Sequence, residues 1–416
     1  MIEEQLREAL RELADEVPAS RVPPLSLPSR RTAGSRARTG AGRPHLPSSR
    51  WLAPLAAAAS VLVIATGVAA VAGLIRHAGI APTAPTLAPG AVPPYYIALT
   101  TGGPPSPDHR YDAGIYATTT GTLLARVNAP GRTRTFVGVS AAANNLTFAV
   151  AAENYPSRGL PAVTFYLVRF DPASRSAQLS ALSRLRVPAG ASFAGFALSP
   201  NGYRLAVAFE PHRGARGPTA VLRTLDISTG ALRTWAGSRG TVAAAAGSPS
   251  LGWSGDNATL AFNWYGSRRG HPGTFAGTTG VRLLDTRRPG GNLVAGSRLA
   301  VRLYHVKNPL GLVPGDSMLT PDGKTIVAAV RSAGGLTGGF AEFSTATGRM
   351  VRKLGWGPTT TSAQAGTMVV LWSSRSGRTL VVSAPPGHPG QFAIISARRT
   401  RLLPSPAQAR FPAAAW

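Results

Sequence analysis

From Tyr95 to the end of the chain, apolar residues fall into short runs typical of β-strands, separated by turn-forming residues. A unit of four such runs recurs. Its clearest copy spans residues 193–236, and a second clear copy spans residues 317–354. In both copies tight turns join the first run to the second and the third run to the fourth. Antiparallel four-stranded units that repeat about six times predict an all-β β-propeller.

Four weaker copies of the unit complete this pattern, at residues 95–127, 135–171, 251–285 and 368–396. The first of them lacks a convincing opening strand. We expect the closing segment, residues 408–416, to supply that strand and to close the ring, because closure hides two sheet edges. The units vary between about 45 and 65 residues in length, so seven blades are an alternative to six.

Turn sequences recur in register with these units. SPNG at 199–202 and TPDG at 320–323 place Pro and Gly where a type I turn followed by a left-handed residue needs them. TTTG, ISTG and TATG, ending at Gly121, Gly230 and Gly348, occupy the second turn of their units. Over residues 95–416 the chain resembles WD40-like, TolB-type propeller repeats, in the membrane-anchored form found in actinobacteria. The resemblance implies a fold and no particular activity.

The stretch 51–75 contains no charged residue and is bracketed by Arg50 and Arg76. As a helix it would reach about 37 Å, enough to cross a hydrocarbon core of about 30 Å, so we predict an uncleaved transmembrane helix in the lipid bilayer. A cleaved signal sequence is the alternative. Residues 30–50 carry arginines and no acid, which places the N-terminus in the cytoplasm and the propeller outside, at the cell membrane.

The other N-terminal segments differ in composition. Residues 1–17 have helical apolar spacing and predict an amphipathic cytoplasmic helix, which either docks on a cytoplasmic partner through residues 2–17 or stays marginal. Residues 18–50 are rich in Arg and Pro and predict a disordered tether. Residues 76–94 are rich in Pro and small side chains, so they predict an extended spacer before the propeller at 95–416.

The composition of the chain excludes several kinds of functional site. The chain contains no cysteine, which excludes disulfides, thiolate zinc sites and cysteine nucleophiles. HExxH, GxSxG and phosphate-binding loop motifs are also missing, so we expect no catalytic, metal or cofactor site. The net charge of +27 predicts a non-specific attraction to anionic polymers and headgroups. The predicted location outside the membrane argues against a specific nucleic-acid partner.

The links between the second and third strands of the units are long, for example at residues 153–161, 210–218 and 264–279. They emerge on one face, and insertions gathered on one face of a repeat protein often form its binding surface. Arginine beside aromatic and histidine side chains suits an anionic ligand or an acidic protein. The candidate ligand face consists of Tyr155, Arg158, His212, Arg213, Trp264, Tyr265, Arg268, Arg269 and His271.

The sequence therefore favours a non-catalytic, membrane-anchored extracytoplasmic propeller that acts as a binding, protein-interaction or sensing module. Its expected partner is an unknown protein or an anionic envelope component at the long-loop face. The alternative is an extracytoplasmic hydrolase or lyase with a site on the same face. In that case Glu153 and Glu210, which head equivalent loops, would be the candidate carboxylates.

Overall fold

Antiparallel strands and turns build the part of the chain that our computed structural model describes, and this part contains no helix. It comprises residues 91–101, 111–131, 134–154, 162–188, 191–211, 219–238, 240–242, 251–268, 271–275, 279–302, 310–332, 337–358, 368–383, 385–386, 388, 391–396, 399–404 and 414–416. No helix able to span a membrane is therefore found among these residues. The predicted segments 1–17, 18–50 and 51–75 lie outside them, as does nearly all of the spacer 76–94.

The described strands form six sheets, which we number as blades 1 to 6, so the prediction of a six-bladed propeller is confirmed. Blades 1 to 3 contain β1 (Tyr95–Thr101), β2 (Tyr111–Ala117), β3 (Leu123–Val127), β4 (Arg134–Ala141), β5 (Thr147–Asn154), β6 (Ala162–Asp171), β7 (Ser176–Ala181), β8 (Ala191–Leu198), β9 (Arg204–Pro211), β10 (Thr219–Asp226) and β11 (Leu232–Ser238).

Blade 4 contains β12 (Gly240–Val242), β13 (Leu251–Trp253), β14 (Thr259–Arg268), β15 (His271–Phe275), β16 (Gly280–Asp285) and β18 (Ser297–Arg302). The short β17 (Gly291–Asn292) pairs instead with β11 of blade 3. Blades 5 and 6 contain β19 (Leu310–Leu319), β20 (Thr325–Ser332), β21 (Thr337–Ser344), β22 (Met350–Pro358), β23 (Val369–Ser373), β24 (Thr379–Ser383), β25 (Phe392–Ser396) and β26 (Thr400–Leu403). The last strand, β27 (Ala414–Ala415), belongs to blade 1.

The hydrophobic core lies between the blades. Successive side chains of a strand point to opposite faces of the sheet, and here both faces are covered by a neighbouring blade. In β5, Phe148 and Val150 pack into the cluster shared with blade 1, whereas Ala149 and Ala151 pack into the cluster shared with blade 3. The described residues form six such clusters, one at each interface between blades. This arrangement explains why the second strands are continuously apolar.

Each blade contains at least one tight turn in which a residue adopts the left-handed backbone conformation. In the turns that join the first strand to the second, this place is taken by Asn145 (φ 56°), Gly202 (φ 75°), Asn257 (φ 56°), Gly323 (φ 72°) and Gly377 (φ 72°). The turns between the third and fourth strands use Gly121, Gly230 and Gly348, as the TG motifs predict, and blade 2 uses Arg175 (φ 52°). Glycine adopts this conformation without a steric penalty, and Asn tolerates it better than most residues.

Hydrogen bonds between these turns connect one blade to the next at one end of the propeller, which we call the tight-turn face. The donors and acceptors are Tyr95 N to Asn145 Oδ1 (2.7 Å), Ala143 N to Pro200 O (2.8 Å), Asn201 N to Asn257 Oδ1 (2.8 Å), Gly255 N to Pro321 O (2.7 Å) and Asp322 N to Arg375 O (3.2 Å). These bonds run from blade 1 to blade 6 in order, so they link the inner ends of the six blades in sequence.

Blade 1 is completed by the end of the chain. β27 pairs with β1 through Ile97 and Ala415 and through Ala98 and Ala414, and it thereby takes the innermost place in that sheet. Trp416 then stacks on Tyr96 with ring centroids 4.4 Å apart, and it meets the edge of Phe392 in blade 6 at 5.0 Å. Both the first strand and the last blade are therefore held by the final residues.

One hydroxyl group joins the two ends of the propeller. Thr118 Oγ1 donates a hydrogen bond to the backbone oxygen of Pro93 (2.7 Å) and accepts one from Trp416 Nε1 (3.1 Å). Thr118 is buried in the turn between β2 and β3. The strand that enters the ring and the strand that closes it therefore share a single buried contact.

Replacing the exposed Arg175 with Gly should stabilise the propeller by about 0.5–1 kcal/mol, because the left-handed backbone is strained for any residue with a Cβ atom. Chemical denaturation of the propeller domain measures the change. The matched control is Gly323→Ala, whose added Cβ would meet nothing nearer than Ser254 Cβ at 3.7 Å, so that only the backbone conformation is tested. It should lose about 1 kcal/mol. Unchanged stability in both variants would contradict this account of the turns.

Trp416→Ala should lower the free energy of unfolding by about 3–5 kcal/mol, because it opens a cavity between blades 1 and 6 and removes the bond to Thr118. Leu402→Ala is the control, since Leu402 is 41% exposed on β26 and its truncation should change stability by no more than about 0.5 kcal/mol. Equal effects in the two variants would show that ring closure does not depend on this contact.

Candidate functional site

A cavity lies on the propeller axis among the described residues, and we call it the axial cavity. Its volume is about 170 Å³. The innermost strands of all six blades contribute to its wall, namely β27, β4, β8, β13, β19 and β23. Pro93, Ala143, Pro200 and Pro321 belong to turns and line it as well, so the cavity extends to the tight-turn face.

β-Bulges shape this wall. The pairing of the first strand with the second skips one residue between Phe136 and Gly138, between Phe193 and Gly195, and between Val370 and Trp372. A bulge inserts an extra residue and redirects the side chains near it. The three extra residues, Val137, Ala194 and Leu371, all line the axial cavity. The irregularity of the inner strands thus determines which side chains face the axis.

The described side chains of the lining are apolar or small, and none carries a charge. Val139, Phe193, Met318 and Trp372 line the cavity and are only half-buried, so part of their apolar surface is open. Serine hydroxyl groups, at Ser140 and Ser373, are the polar exceptions apart from the indole N–H groups. These apolar side chains can contact an apolar guest, while backbone groups of the inner strands add polar surface to the wall.

Inner strands are sheet edges, and neighbouring side chains cover part of them. Ser140 Oγ accepts a hydrogen bond from Leu198 N (2.9 Å), and Trp253 Nε1 donates one to the backbone oxygen of Ala197 (3.0 Å). Each of these bonds crosses from one blade to the next. They satisfy backbone groups that would otherwise face the axis unpaired, and they fix the spacing between inner strands.

Two of the predicted ligand-face residues, Trp264 and Tyr265, lie in the core of the described structure, where little of either side chain is accessible. Trp264 is 1% exposed in the cluster between blades 3 and 4, and Tyr265 is 9% exposed in the cluster between blades 4 and 5. The proposed loop 264–279 begins as a continuation of β14, which extends to Arg268 and pairs with β15. Successive strand residues face opposite neighbours, and here both neighbours are blades.

For the other seven residues, a position on the ligand face remains a prediction. Arg268 and His271 lie at the paired ends of β14 and β15, and the described structure does not place their side chains. Tyr155, Arg158, His212, Arg213 and Arg269 lie outside the described residues.

Several described arginines act between blades. Arg184 Nη1 donates to the backbone oxygen of Gly230 (3.1 Å), Arg233 Nη1 donates to that of Thr286, and Arg298 Nη1 donates to that of Thr345 (2.5 Å). Arg233 and Arg298 lie on the fourth strand of their blades and Arg184 lies just after it, and each reaches the outer turn of the next blade. Part of the basic charge therefore serves to join blades along their outer rim.

The described aspartates are mostly engaged in turns. The hydroxyl of Ser174 and the N–H of Ala173 hold the pKa of Asp171 below its usual value, and Arg287 does the same for Asp285. Burial alone would raise the pKa of Asp256, but hydrogen bonds, among them those from Ser254 and Ala258, outweigh it and lower the pKa. These carboxylates shape the local backbone.

Glu153 and Glu210, the candidate carboxylates of a hydrolase, lie where equivalent loops begin at the ends of β5 and β9. Burial raises the pKa of Glu210, although Thr241 Oγ1 donates a hydrogen bond to it at 3.0 Å and opposes the shift. Glu153 pairs with Thr135 in the blade 2 sheet. Glu342, which is buried, forms an ion pair with Arg352 within blade 5. Among the residues that the structure describes, no three His, Asp or Glu side chains converge to hold a metal ion.

Sequence reasoning missed the axial cavity. A signal for it was present, because the first strands of two units carry Gly or Ala among apolar residues at both odd and even positions, as in FVGVS at 136–140 and FAGFALS at 193–199. In a propeller the first strands surround the axis. A bulge after Phe136 or Phe193, however, changes whether the odd or the even positions of the strand face the axis. The sequence alone does not show where such a bulge lies.

No protein-family model matches the chain, and no curated protein has a significantly similar sequence. Solved structures with similar folds include oligogalacturonate lyase from Vibrio parahaemolyticus, with 12% identity over 70% of this chain and 71% of that chain and a TM-score of 0.42. The Cps50 (Swd1) β-propeller domain of Myceliophteria thermophila has 12% identity over 69% and 91%, with a TM-score of 0.38. The β-propeller domain of the Trilobed protease from Pyrococcus furiosus has 10% identity over 65% and 72%, with a TM-score of 0.35.

The turn aspartates predict acid sensitivity. Because the pKa values of Asp171, Asp256 and Asp285 are lower in the folded state, the unfolded chain binds more protons as the pH falls below about 4, and stability should then decrease. Urea unfolding between pH 6 and 3 measures this. Asp285→Asn should show a shallower decrease below pH 4 than the original chain, because it has one fewer such carboxylate. An identical slope would rule out a contribution from this carboxylate.

Proposed function

We propose that this chain is a non-catalytic binding module whose propeller holds a small apolar guest in the axial cavity. The observation that carries this proposal is the cavity itself, with its apolar lining drawn from all six blades. Binding sites for small molecules are usually concave, apolar and provided with few polar groups. In this proposal the propeller is a TolB-type receptor, and it sits outside the cell on the membrane anchor 51–75.

The size of the cavity sets the size of the guest. An apolar cavity of about 150 Å³ in another protein stays dry and binds benzene. The axial cavity, at about 170 Å³, therefore has room for a body of about one aromatic ring or an equivalent branched alkyl group. Phe193, Met318 and Trp372 would contact such a body from three different blades. Methionine adapts its shape readily and aromatic side chains provide large contact areas.

The inner strands are suited to a preformed site. The turn-to-turn hydrogen bonds and the bonds from Leu198 to Ser140 and from Trp253 to Ala197 hold neighbouring inner strands at fixed distances. A preformed cavity costs little ordering when it is filled, and this favours binding. The long-loop face, at the opposite end of the strands, remains free in this proposal to contact a protein or an anionic envelope component.

The proposed location is tested separately from binding. Fusions of alkaline phosphatase and of green fluorescent protein to the C-terminus should give phosphatase activity and no fluorescence, because the phosphatase is active outside the cytoplasm. The same fusions placed before residue 51 should give the reverse result. A phosphatase-inactive, fluorescent C-terminal fusion would overturn the extracytoplasmic location.

Benzene should stabilise the purified propeller, residues 91–416, against thermal unfolding, and the effect should saturate with concentration. A ligand that binds only the folded state at about tenfold its Kd adds about 1.4 kcal/mol. Ala194→Leu should abolish this effect, because Ala194 is half-buried in the cavity wall and the larger side chain would occupy the space.

Ala181→Leu is the matched control, since Ala181 is exposed on β7 and the same substitution there leaves the cavity open. Binding that persists in Ala194→Leu, or the absence of any benzene effect on the original propeller, would overturn the proposed function. If Ala194→Leu fails to fold, Val137→Phe provides a second way to fill the cavity from β4.

A further inference from the structure

Basic side chains gather on the tight-turn face at the neighbouring blades 5 and 6. They lie in the short connections between the first and second strands and between the third and fourth strands of these blades. Each of them is exposed and forms no ion pair with a described carboxylate. We call this group the basic corner, and it consists of Lys324, Arg349, Arg375, Arg378 and Arg399.

Backbone hydrogen bonds hold the connections of the basic corner together. Asp322 N donates to Arg375 O (3.2 Å) between blades 5 and 6, and Thr345 N donates to Lys324 O (2.9 Å) within blade 5. Asp322 is the one acidic residue of these connections, and its Oδ1 is engaged by Thr320 Oγ1 (2.7 Å) and Lys324 N (3.0 Å). The positive charges of the corner are therefore left without local neutralisation.

Blades 3 and 4 show the contrast on the same face. There Arg204 approaches Asp226 at 3.9 Å, and Asp285 pairs with Arg287 at 2.9 Å and with Arg288 at 3.8 Å. Arginines in these connections are thus offset by carboxylates of their own blade. The uncompensated charge lies on one side of the tight-turn face, at blades 5 and 6.

Two large apolar side chains lie exposed next to the basic corner. Met350 is 42% exposed and Val351 is 60% exposed, and they begin β22 directly after Arg349. β22 is the outer strand of blade 5, so no further strand of the described sheet covers them. Apolar side chains beside arginine and lysine suit the boundary between the headgroups and the acyl chains of a bilayer.

The chain enters the propeller at this face as well. Tyr95 N bonds to Asn145 Oδ1 (2.7 Å) in a tight turn of blade 2, and Thr118 N, in a tight turn of blade 1, bonds to Pro94 O (2.8 Å). The residues that precede this entry contain the stretch 51–75, which the sequence predicts to be a membrane anchor. A bilayer that held the anchor would therefore lie closer along the chain to the tight-turn face than to the long-loop face.

We propose that the basic corner docks on the anionic phospholipid headgroups of a bilayer, with Met350 and Val351 entering the acyl boundary. This inference rests on the membrane location in the proposed function and adds the face that the propeller turns to the membrane. Arginine suits phosphate because its planar guanidinium donates two parallel hydrogen bonds. A second copy of the chain is a poor occupant, since the two sets of positive charges would repel. A soluble polyanion would leave the two apolar side chains in water.

The first test uses the propeller without the predicted anchor, residues 91–416, because an anchor would bind vesicles by itself. All six core clusters lie within these residues. The propeller should sediment with vesicles of equal parts phosphatidylglycerol and phosphatidylcholine, less so as salt rises, and hardly at all with phosphatidylcholine alone. Arg375→Gln combined with Arg378→Gln should weaken this binding about 20-fold, because each basic residue at an anionic surface contributes about fivefold.

The matched control is Arg126→Gln combined with Arg302→Gln. It removes the same charge from exposed positions on β3 and β18, outside the tight turns, and should weaken binding less than about twofold. Equal losses in the two double variants would overturn the proposal, because binding would then follow net charge alone. So would a failure of the original propeller to bind the anionic vesicles.

The second test separates a bilayer from a soluble polyanion. Met350→Thr combined with Val351→Thr should weaken vesicle binding about tenfold, since apolar surface no longer enters the bilayer, and should leave binding to heparin unchanged. Unchanged vesicle binding would overturn docking on a bilayer and would assign the corner to soluble polyanions. These side chains are exposed, so every variant should keep the original unfolding temperature. The vesicle assay involves neither the axial cavity nor the anchor, so its failure is distinct from failure of the benzene or fusion experiments.

Discussion

No blade of this propeller can bury its own apolar surface. Each sheet has two apolar faces, and both are covered only by the neighbouring blades, so the core cluster between blades 6 and 1 exists only when the ring is closed. Closure depends on the short pairing of β27 with β1 and on the stacking of Trp416 against Tyr96. A few residues of the last strand thus complete the interface that leaves no blade with an uncovered face.

The same constraint produces the candidate site. Six inner strands that are held side by side leave a space on the axis, and bulges at Val137, Ala194 and Leu371 decide which side chains enter it. Core packing and the cavity wall are formed by the same strands. A site of this kind keeps its shape because changing it would require two interfaces between blades to change together.

The fold could be predicted from the sequence, because turn motifs such as those around Gly202 and Gly323 recur in register with runs of apolar residues. The site could not. Periodicity does not distinguish an aromatic residue in a loop from one in an extended strand, which is why Trp264 and Tyr265 were misplaced. The sequence also did not show that Arg184 and Arg298 bond to turns of neighbouring blades, because each of these contacts joins residues that are distant in sequence.

The hydroxyl of Thr118 brings together two points that are far apart along the chain, since it bonds to both Pro93 and Trp416. The backbone is therefore nearly continuous around the propeller. The order of the blades along the chain depends only on the position in the ring at which the first strand begins. A short peptide link across this point and a new cut between two other blades would give a circular permutant with the same interfaces. The six blades thus form a closed ring of equivalent interfaces, although the polypeptide that builds them is linear.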